Sequence, residues 1–321
     1  MTFLATSAGS YPRVGDEPGQ QILRQTIDQW EKKKATDQDL AHAIATMTKA
    51  AVDEQVKAGL DLVTDGQIGW YDLMSHLLRG AKNVEISGLL RLFDTNCYFR
   101  QPVIKGPVAW EKPVTVEAFR TAMKLSTKPV KAVLTGPFTL AVHSLNSGGS
   151  KSLLSELAAF VAAEVAALAD AGAQVIQIDE PSILKKTADF GAFADAVKVA
   201  ASRKGRARII LATYWGDAAP VLSRLLELPV DGIAADFTYS TTIADALGAA
   251  ATSKTIQLGL VDGRNTRLEK AKDVARAAEK ASKKAKGEVH LAPSCGLEYL
   301  PRDRAFDKLK LLAQARKLIK G

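Results

Sequence analysis

The sequence predicts an α/β chain folded as a (β/α)8 TIM barrel, and three observations predict it. Eight apolar runs recur along the chain, each ends in a polar residue and a break, and amphipathic segments lie between them. The runs are Phe3 to Gly9, Leu62 to Gly66, Val130 to Pro137, Gln174 to Pro181, Ala207 to Trp215, Gly232 to Thr238, Thr255 to Gly263 and Val289 to Gly296. Parallel strands are covered on both faces, so they read as apolar stretches with little alternation, as AQVIQI and IILA do. At their carboxyl ends stand Ser7 and Ser10, Asp65, Thr135, Asp179 and Glu180, Thr213 and Tyr214, Asp236, Asp262, and Ser294 with Cys295. Barrels of this kind carry their chemistry on the face where strands end, which makes these residues the candidates.

Between the runs the helices announce themselves by period. From Lys151 to Gly172, the residues Leu154, Leu157, Val161, Val165 and Leu168 fall on one stripe, and Gly172 supplies the stop. A barrel takes about 250 residues. The chain has 321, so residues 1–321 are expected to be one domain with the surplus in two insertions. One is a helical insertion after strand one, Pro18 to Gly59, where Trp30-Glu31-Lys32-Lys33-Lys34 separates two amphipathic runs. The other is an excursion after strand two, Gln67 to Lys128, with short alternating segments (NVEISGLL, PVIKGPVAW) and a helix opened by Thr115-Val116-Glu117. Asn146 to Ser150 reads as a loop before a helix.

Composition narrows the class. The apolar fraction of 47% suits a globular core, and no segment is long and apolar enough to cross a bilayer. The opening MTFLATSAGSYPR shows neither a basic leader nor a cleavage pattern. Cys97 and Cys295 are too few for a disulfide scaffold, so a soluble protein of the reducing cytoplasm is expected. The net charge of +8 is local: eight Lys/Arg face three acids from Arg267 to Lys286, and seven face two from Arg302 to Lys320. With alanines and leucines at helical spacing beneath them, these cations read as a solvated outer face. The alternative is a docking surface for an acidic protein or a polyanionic ligand tail. Nothing here resembles a nucleic-acid-binding fold.

The densest chemistry lies at Gln177-Ile178-Asp179-Glu180-Pro181. Adjacent carboxylates at a strand end point in opposite directions, so one can face the barrel mouth while the other bonds backbone. For Glu180, structural and catalytic roles are both open.

Taken together, Thr6 to Arg13 (TSAGSYPR), Asp65-Gly66, Leu134-Thr135-Gly136-Pro137, Gln177 to Pro181 and Pro293 to Leu297 resemble the cobalamin-independent methionine synthases in order and spacing. The resemblance spans nearly the whole chain and corresponds to one of that family's two barrels, as in its single-barrel forms. It implies methyl transfer to the thiol of homocysteine, with zinc binding that thiol and lowering its pKa. Ala8, Gly9 and Ser10 match the turn that holds the homocysteine carboxylate, and Asp179 matches the acid that pairs with its ammonium group. Gln67 stands where the catalytic barrel has a second acid, and His143 where it has a tryptophan. The family's four zinc ligands fall on Ala212, Tyr214, Asp236 and Cys295. Alanine cannot ligate and tyrosine seldom binds zinc, so only Asp236 and Cys295 remain as vestigial positions and zinc is expected to bind weakly or not at all. Completion by His76, His143 or His290 is the alternative, against the commoner fate of a lone histidine as a hydrogen-bonded core or loop residue.

Other stretches are more similar to the zinc-free amino-terminal barrel of the two-barrel enzymes: Ser10 to Gly15, Gly69 to Asp72, Ala212 to Trp215, and Leu260 to Asn265. The basic residues expected after the PRVG turn are replaced by Asp16 to Gln21, which argues against a folate tail there. Three readings stand. The first is a methyltransferase acting on homocysteine or another small amino-acid or thiol substrate, with methylfolate or a methyl-corrinoid as donor and Asp236, Cys295 and Asp262 as catalytic candidates. The second is a non-catalytic partner equivalent to the amino-terminal barrel, working with a separate zinc-bearing barrel; a corrinoid protein is the other partner the resemblance allows. The third is redirected zinc-independent chemistry at Asp65, Asp179, Asp236, Asp262, Tyr214 and Cys295.

Overall fold

The computed structural model describes residues 1–93, 97–240 and 242–319. In chain order the elements are β1 (Phe3–Ala5), α1 (Ile22–Glu31), α2 (Asp37–Ala58), α3 (Ser75–Leu78), β2 (Ala81–Arg91), β3 (Tyr98–Trp110), α4 (Val116–Leu125), β4 (Lys131–Thr135), α5 (Pro137–His143), β5 (Leu145–Asn146) and α6 (Leu153–Asp170). They continue with β6 (Val175–Asp179), α7 (Phe190–Ala201), β7 (Arg208–Thr213), α8 (Leu222–Glu227), β8 (Gly232–Asp236), α9 (Ile243–Ala249), β9 (Thr255–Val261), α10 (Ala271–Ala281), β10 (Val289–Pro293) and α11 (Arg302–Leu318). Seven strands form one sheet in the order β1-β10-β9-β8-β7-β6-β4. The chain is an α/β protein of the (β/α)8 class.

Two compact units share these elements. The first holds Met1–Gly69, Ala118–Lys131 and Ala234–Gly321, and the second Trp70–Glu117 and Ala132–Ile233. In the first unit β1 pairs in parallel with β10 (Phe3↔Val289) and β10 with β9 (Val289↔Ile256). The run Leu62 to Gly66, expected as a full strand, contributes only two parallel bridges, Thr6↔Leu62 and Val63↔Val130. Its next residue explains why. Gln55 of α2 donates to Thr64 O at 2.9 Å and accepts from Thr64 N at 2.9 Å, so a side chain takes the two backbone groups a neighbouring strand would need. The run keeps the neighbours of a second barrel strand but not its length.

Inside the first unit Lys131 is fully buried. Its Nζ donates to Ser7 O at 2.8 Å and to Gln257 Oε1 at 2.9 Å. The turn after β1 is clamped from outside: Tyr11 donates to Glu54 at 2.7 Å, and Arg302 donates to Glu54 at 2.9 Å and to Pro12 O at 2.7 Å. The basic helices follow the expected pattern on α10, which buries Val274, Ala275, Ala278 and Ala281. On α11 the pattern is corrected at two positions. Arg302 and Lys308 are buried and partnered, each with a carbonyl and a carboxylate: Arg302 with Pro12 O and Glu54, Lys308 with Arg267 O and Glu269, and such pairing is what lets a charged side chain be buried.

In the second unit β6 pairs in parallel with β7 (Val175↔Arg208 to Asp179↔Ala212). Helix α6 buries Leu157, Val161, Val165 and Leu168, and Gly172 follows with φ 95°, the left-handed geometry that ends a helix and that glycine adopts without a Cβ penalty. The excursion forms a long antiparallel hairpin of β2 and β3, with β5 parallel to β3. Glu164 of α6 anchors it, accepting from Trp110 Nε1, Val114 N, Thr115 N and Thr115 Oγ1 at 2.7 to 2.9 Å. Among the described residues no helix is long and apolar enough to cross a membrane.

Candidate functional site

Most of the candidates lie where strands end. Asp179 ends β6, Glu180 follows it, Asp236 ends β8, Asp262 follows β9, and Ser294-Cys295 follow β10, whereas Asp65 stands on the run that contributes bridges and no strand.

In the second unit Asp179 is buried and oriented. Gln177 Nε2 donates to its Oδ1 at 2.7 Å and Tyr214 OH to its Oδ2 at 3.1 Å. Tyr214 therefore uses its hydroxyl on a carboxylate. Gln177 escaped sequence reasoning although its spacing offered the signal, since residues i and i+2 of a strand share a face. His143 lies against Ser182 Oγ at 3.1 Å, with the rings of Phe93 and Phe99 each 5.2 Å away. Burial, helped by the charge of Lys186, lowers its pKa to about 4, so it presents a neutral ring. Trp215, at the end of the same strand run, has φ 61°, a strained setting for a bulky residue.

Glu180 has a structural role. It is fully buried and accepts from Phe138 N at 2.8 Å, Thr139 N at 2.7 Å and Thr139 Oγ1 at 2.6 Å, closing the first turn of α5. Gly136 makes room for it, because a Cβ there would come within 2.3 Å of the Glu180 carboxylate. Two of the sequence motifs are thus one packing unit.

In the first unit the turn expected to hold a carboxylate is partly engaged. Gly9 N donates to Ser7 Oγ at 3.3 Å, and Ser10 Oγ donates to the Glu298 carboxylate. Burial raises the Glu298 pKa against the pull of Ser10 and Arg13. An incoming carboxylate would meet that group at Ser10, which a protonated Glu298 tolerates and an ionised one repels. Gln67 is buried with φ 51°, and its Nε2 has no hydrogen-bond partner among the described residues, a donor that suits a ligand's acceptor.

Burial raises Asp65 to about 6, opposed by the bond from Gln67 N. The neutral form is favoured in the fold, so this group destabilises the protein increasingly as pH rises from about 4 through about 6. Asp65→Asn is expected to gain about 2 kcal/mol at neutral pH and almost nothing near pH 4. Urea unfolding at the two pH values checks it, and an equal effect at both would refute the assignment.

The remaining cluster joins Asp236, Thr238, Asp262, Arg264 and Cys295. Burial raises Asp236, partly offset by Thr238 and Arg264. For Asp262, burial is outweighed by the bonds and charge of Arg264, which hold its pKa below the usual range. Arg264 was missed as a site residue although it stood in a quoted motif.

Among the described residues no group of three or more His, Cys, Asp or Glu is placed to hold a metal ion; Ala212 has no donor atom in its side chain, and Tyr214 donates to Asp179. His290 is fully buried and meets Glu288 at 3.4 Å, while His76 stacks on Trp70 at 4.7 Å.

Residues 3–318 match the family model described as "Cobalamin-independent synthase, Catalytic domain". The chain belongs to the cobalamin-independent methionine synthase family. It is 30% identical over 323 residues to the methionine synthase of Saccharolobus solfataricus, covering 98% of this chain and 94% of that protein. With the methionine synthase of Sulfurisphaera tokodaii it shares 28% identity, covering 98% and 92%. Among solved structures, the B12-independent methionine synthase of Shewanella sp. W3-18-1 in complex with selenomethionine superposes with a TM-score of 0.81 at 20% identity, over 99% of this chain and 98% of that one. A methyltransferase from Methanosarcina mazei gives 0.63 at 15% identity, over 97% and 94%. Both are likenesses of fold.

Proposed function

We propose that this chain is a methyltransferase that moves a methyl group to the thiol of homocysteine or a related small thiol, with a methylated folate as donor and without the family's four-ligand zinc. The observation that carries the reading is Asp179, a buried carboxylate oriented by Gln177 and Tyr214 at a strand end, in the position where the family pairs with the substrate ammonium group. A carboxylate held in this way is the chemistry that pairs with an ammonium group. The curated relatives' name, methionine synthase, supports the reaction, and the family's cobalamin-independent description supports a folate donor over a corrinoid.

In the reaction the thiol sulfur attacks the methyl carbon. The S–CH3 bond forms, the N–CH3 bond breaks with its electron pair staying on the folate nitrogen, and that nitrogen takes up a proton as the thiol loses one. Without a metal the thiolate fraction at pH 7 is a few per cent, so a slow, base-dependent rate is expected.

The test uses methyl-labelled methyltetrahydrofolate and homocysteine with metal-stripped protein. Label should appear in methionine, at a rate that rises with pH and falls at least about tenfold in Asp179→Asn. Transfer seen only when a separate zinc-bearing barrel is added would assign the partner role instead. No transfer in either case would reject both.

A further inference from the structure

We propose that Arg264 is the resident cation of the strand-end cluster in the first unit and keeps a metal out of it. The inference stands apart from which thiol is methylated. Asp236 and Cys295 occupy two positions that correspond to metal ligands, and both are buried. One oxygen of Asp236 is saturated: Oδ1 accepts from Thr238 N at 2.8 Å, Thr238 Oγ1 at 2.7 Å and Tyr239 N at 3.1 Å. The other, Oδ2, is buried and receives no hydrogen bond among the described residues, and Arg264 Nη1 faces it at 3.8 Å. A buried carboxylate oxygen with no donor is costly unless a positive charge compensates it.

The guanidinium is fixed from its other side. Arg264 Nε donates to Asp262 Oδ1 at 2.8 Å, and Nη2 donates to Thr238 Oγ1 at 2.8 Å and to Asp262 Oδ2 at 3.3 Å. Asn265 Nδ2 holds the same Asp262 oxygen at 2.7 Å. The residue before it completes the arrangement. A Cβ on Gly263 would come 2.9 Å from Cys295 Sγ, so the loop carrying Arg264 lies directly on the thiol. A metal bridging Asp236 and Cys295 would have to share the Asp236 oxygen with a guanidinium that cannot lose its proton. Loss of two ligands therefore accounts for only part of the failure to fit zinc, and a built-in positive charge accounts for the rest.

The test is cobalt(II) and zinc(II) titration of chelator-treated protein, read by metal analysis after dialysis and by thiolate-to-cobalt absorption. Wild type should retain no metal. Arg264→Met should bind cobalt at least about tenfold more tightly, with an absorption band lost on adding Cys295→Ser. Arg264→Lys keeps the charge and should stay metal-free, which separates charge from shape. The Arg264 side chain is 31% exposed, and Arg264→Gln repeats the measurement should the methionine variant fail to fold. One tightly held equivalent in wild type, lost in Asp236→Asn, would overturn the proposal. So would Met and Gln variants that bind no better than wild type, or a Lys variant that binds as they do.

Discussion

Replacing Glu180 by alanine is expected to lower stability by about 3 to 5 kcal/mol, because two buried amides and a buried hydroxyl lose their acceptor together. The amides of Phe138 and Thr139 open α5, and the described geometry gives them no other acceptor than this carboxylate. Burial raises Glu180 to about 7, against the bonds it receives. A raised acid pKa means that the wild type loses stability as pH rises from about 4.5 through 7, so the gap between wild type and variant should be widest in acid and narrow above neutrality. Gly136→Ala should destabilise the wild type but cost much less beside Glu180→Ala, since the clash is with that carboxylate. Urea unfolding of the four proteins reads all of this, and a loss below about 1 kcal/mol for Glu180→Ala would show that water replaces the carboxylate freely.

The second large effect concerns Lys131. Lys131→Met preserves much of the volume yet removes the ammonium that donates to Ser7 O and Gln257 Oε1, which should cost about 3 kcal/mol. A hydrophobic replacement of both partners tends to recover stability, so Lys131→Met with Gln257→Leu should regain at least about half the loss. If the double variant is worse than the single, the lysine matters through other contacts.

Much of the fold was legible in the sequence because strand and helix patterns are local. Seven of the eight runs contain strands of the sheet, and the α6 stripe is buried from Leu157 to Leu168 as its spacing implied, with Leu154 at its first turn only half-buried. The second run misled because its apolar pattern is indifferent to whether a strand or the Gln55 amide takes the backbone of Thr64. Of the site, the strand-end acids were legible and their partners were not. Arg264 bonds Asp262 from two residues away yet also reaches Thr238, 26 residues distant, while Ser10 finds Glu298 288 residues later. No periodicity encodes such pairings. The same limit hid Lys308 and Arg302, which composition counted among the solvated cations of the last helix although the fold buries them.

Calorimetric titration of metal-stripped protein with homocysteine tests most directly whether the strand-end residues bind an amino-acid thiol without zinc. Binding should persist in the presence of a strong chelator and weaken at least about tenfold in Asp179→Asn, the loss of one charge-assisted partner. Binding that vanishes with the chelator, or is absent from the wild type altogether, would contradict a zinc-independent thiol site.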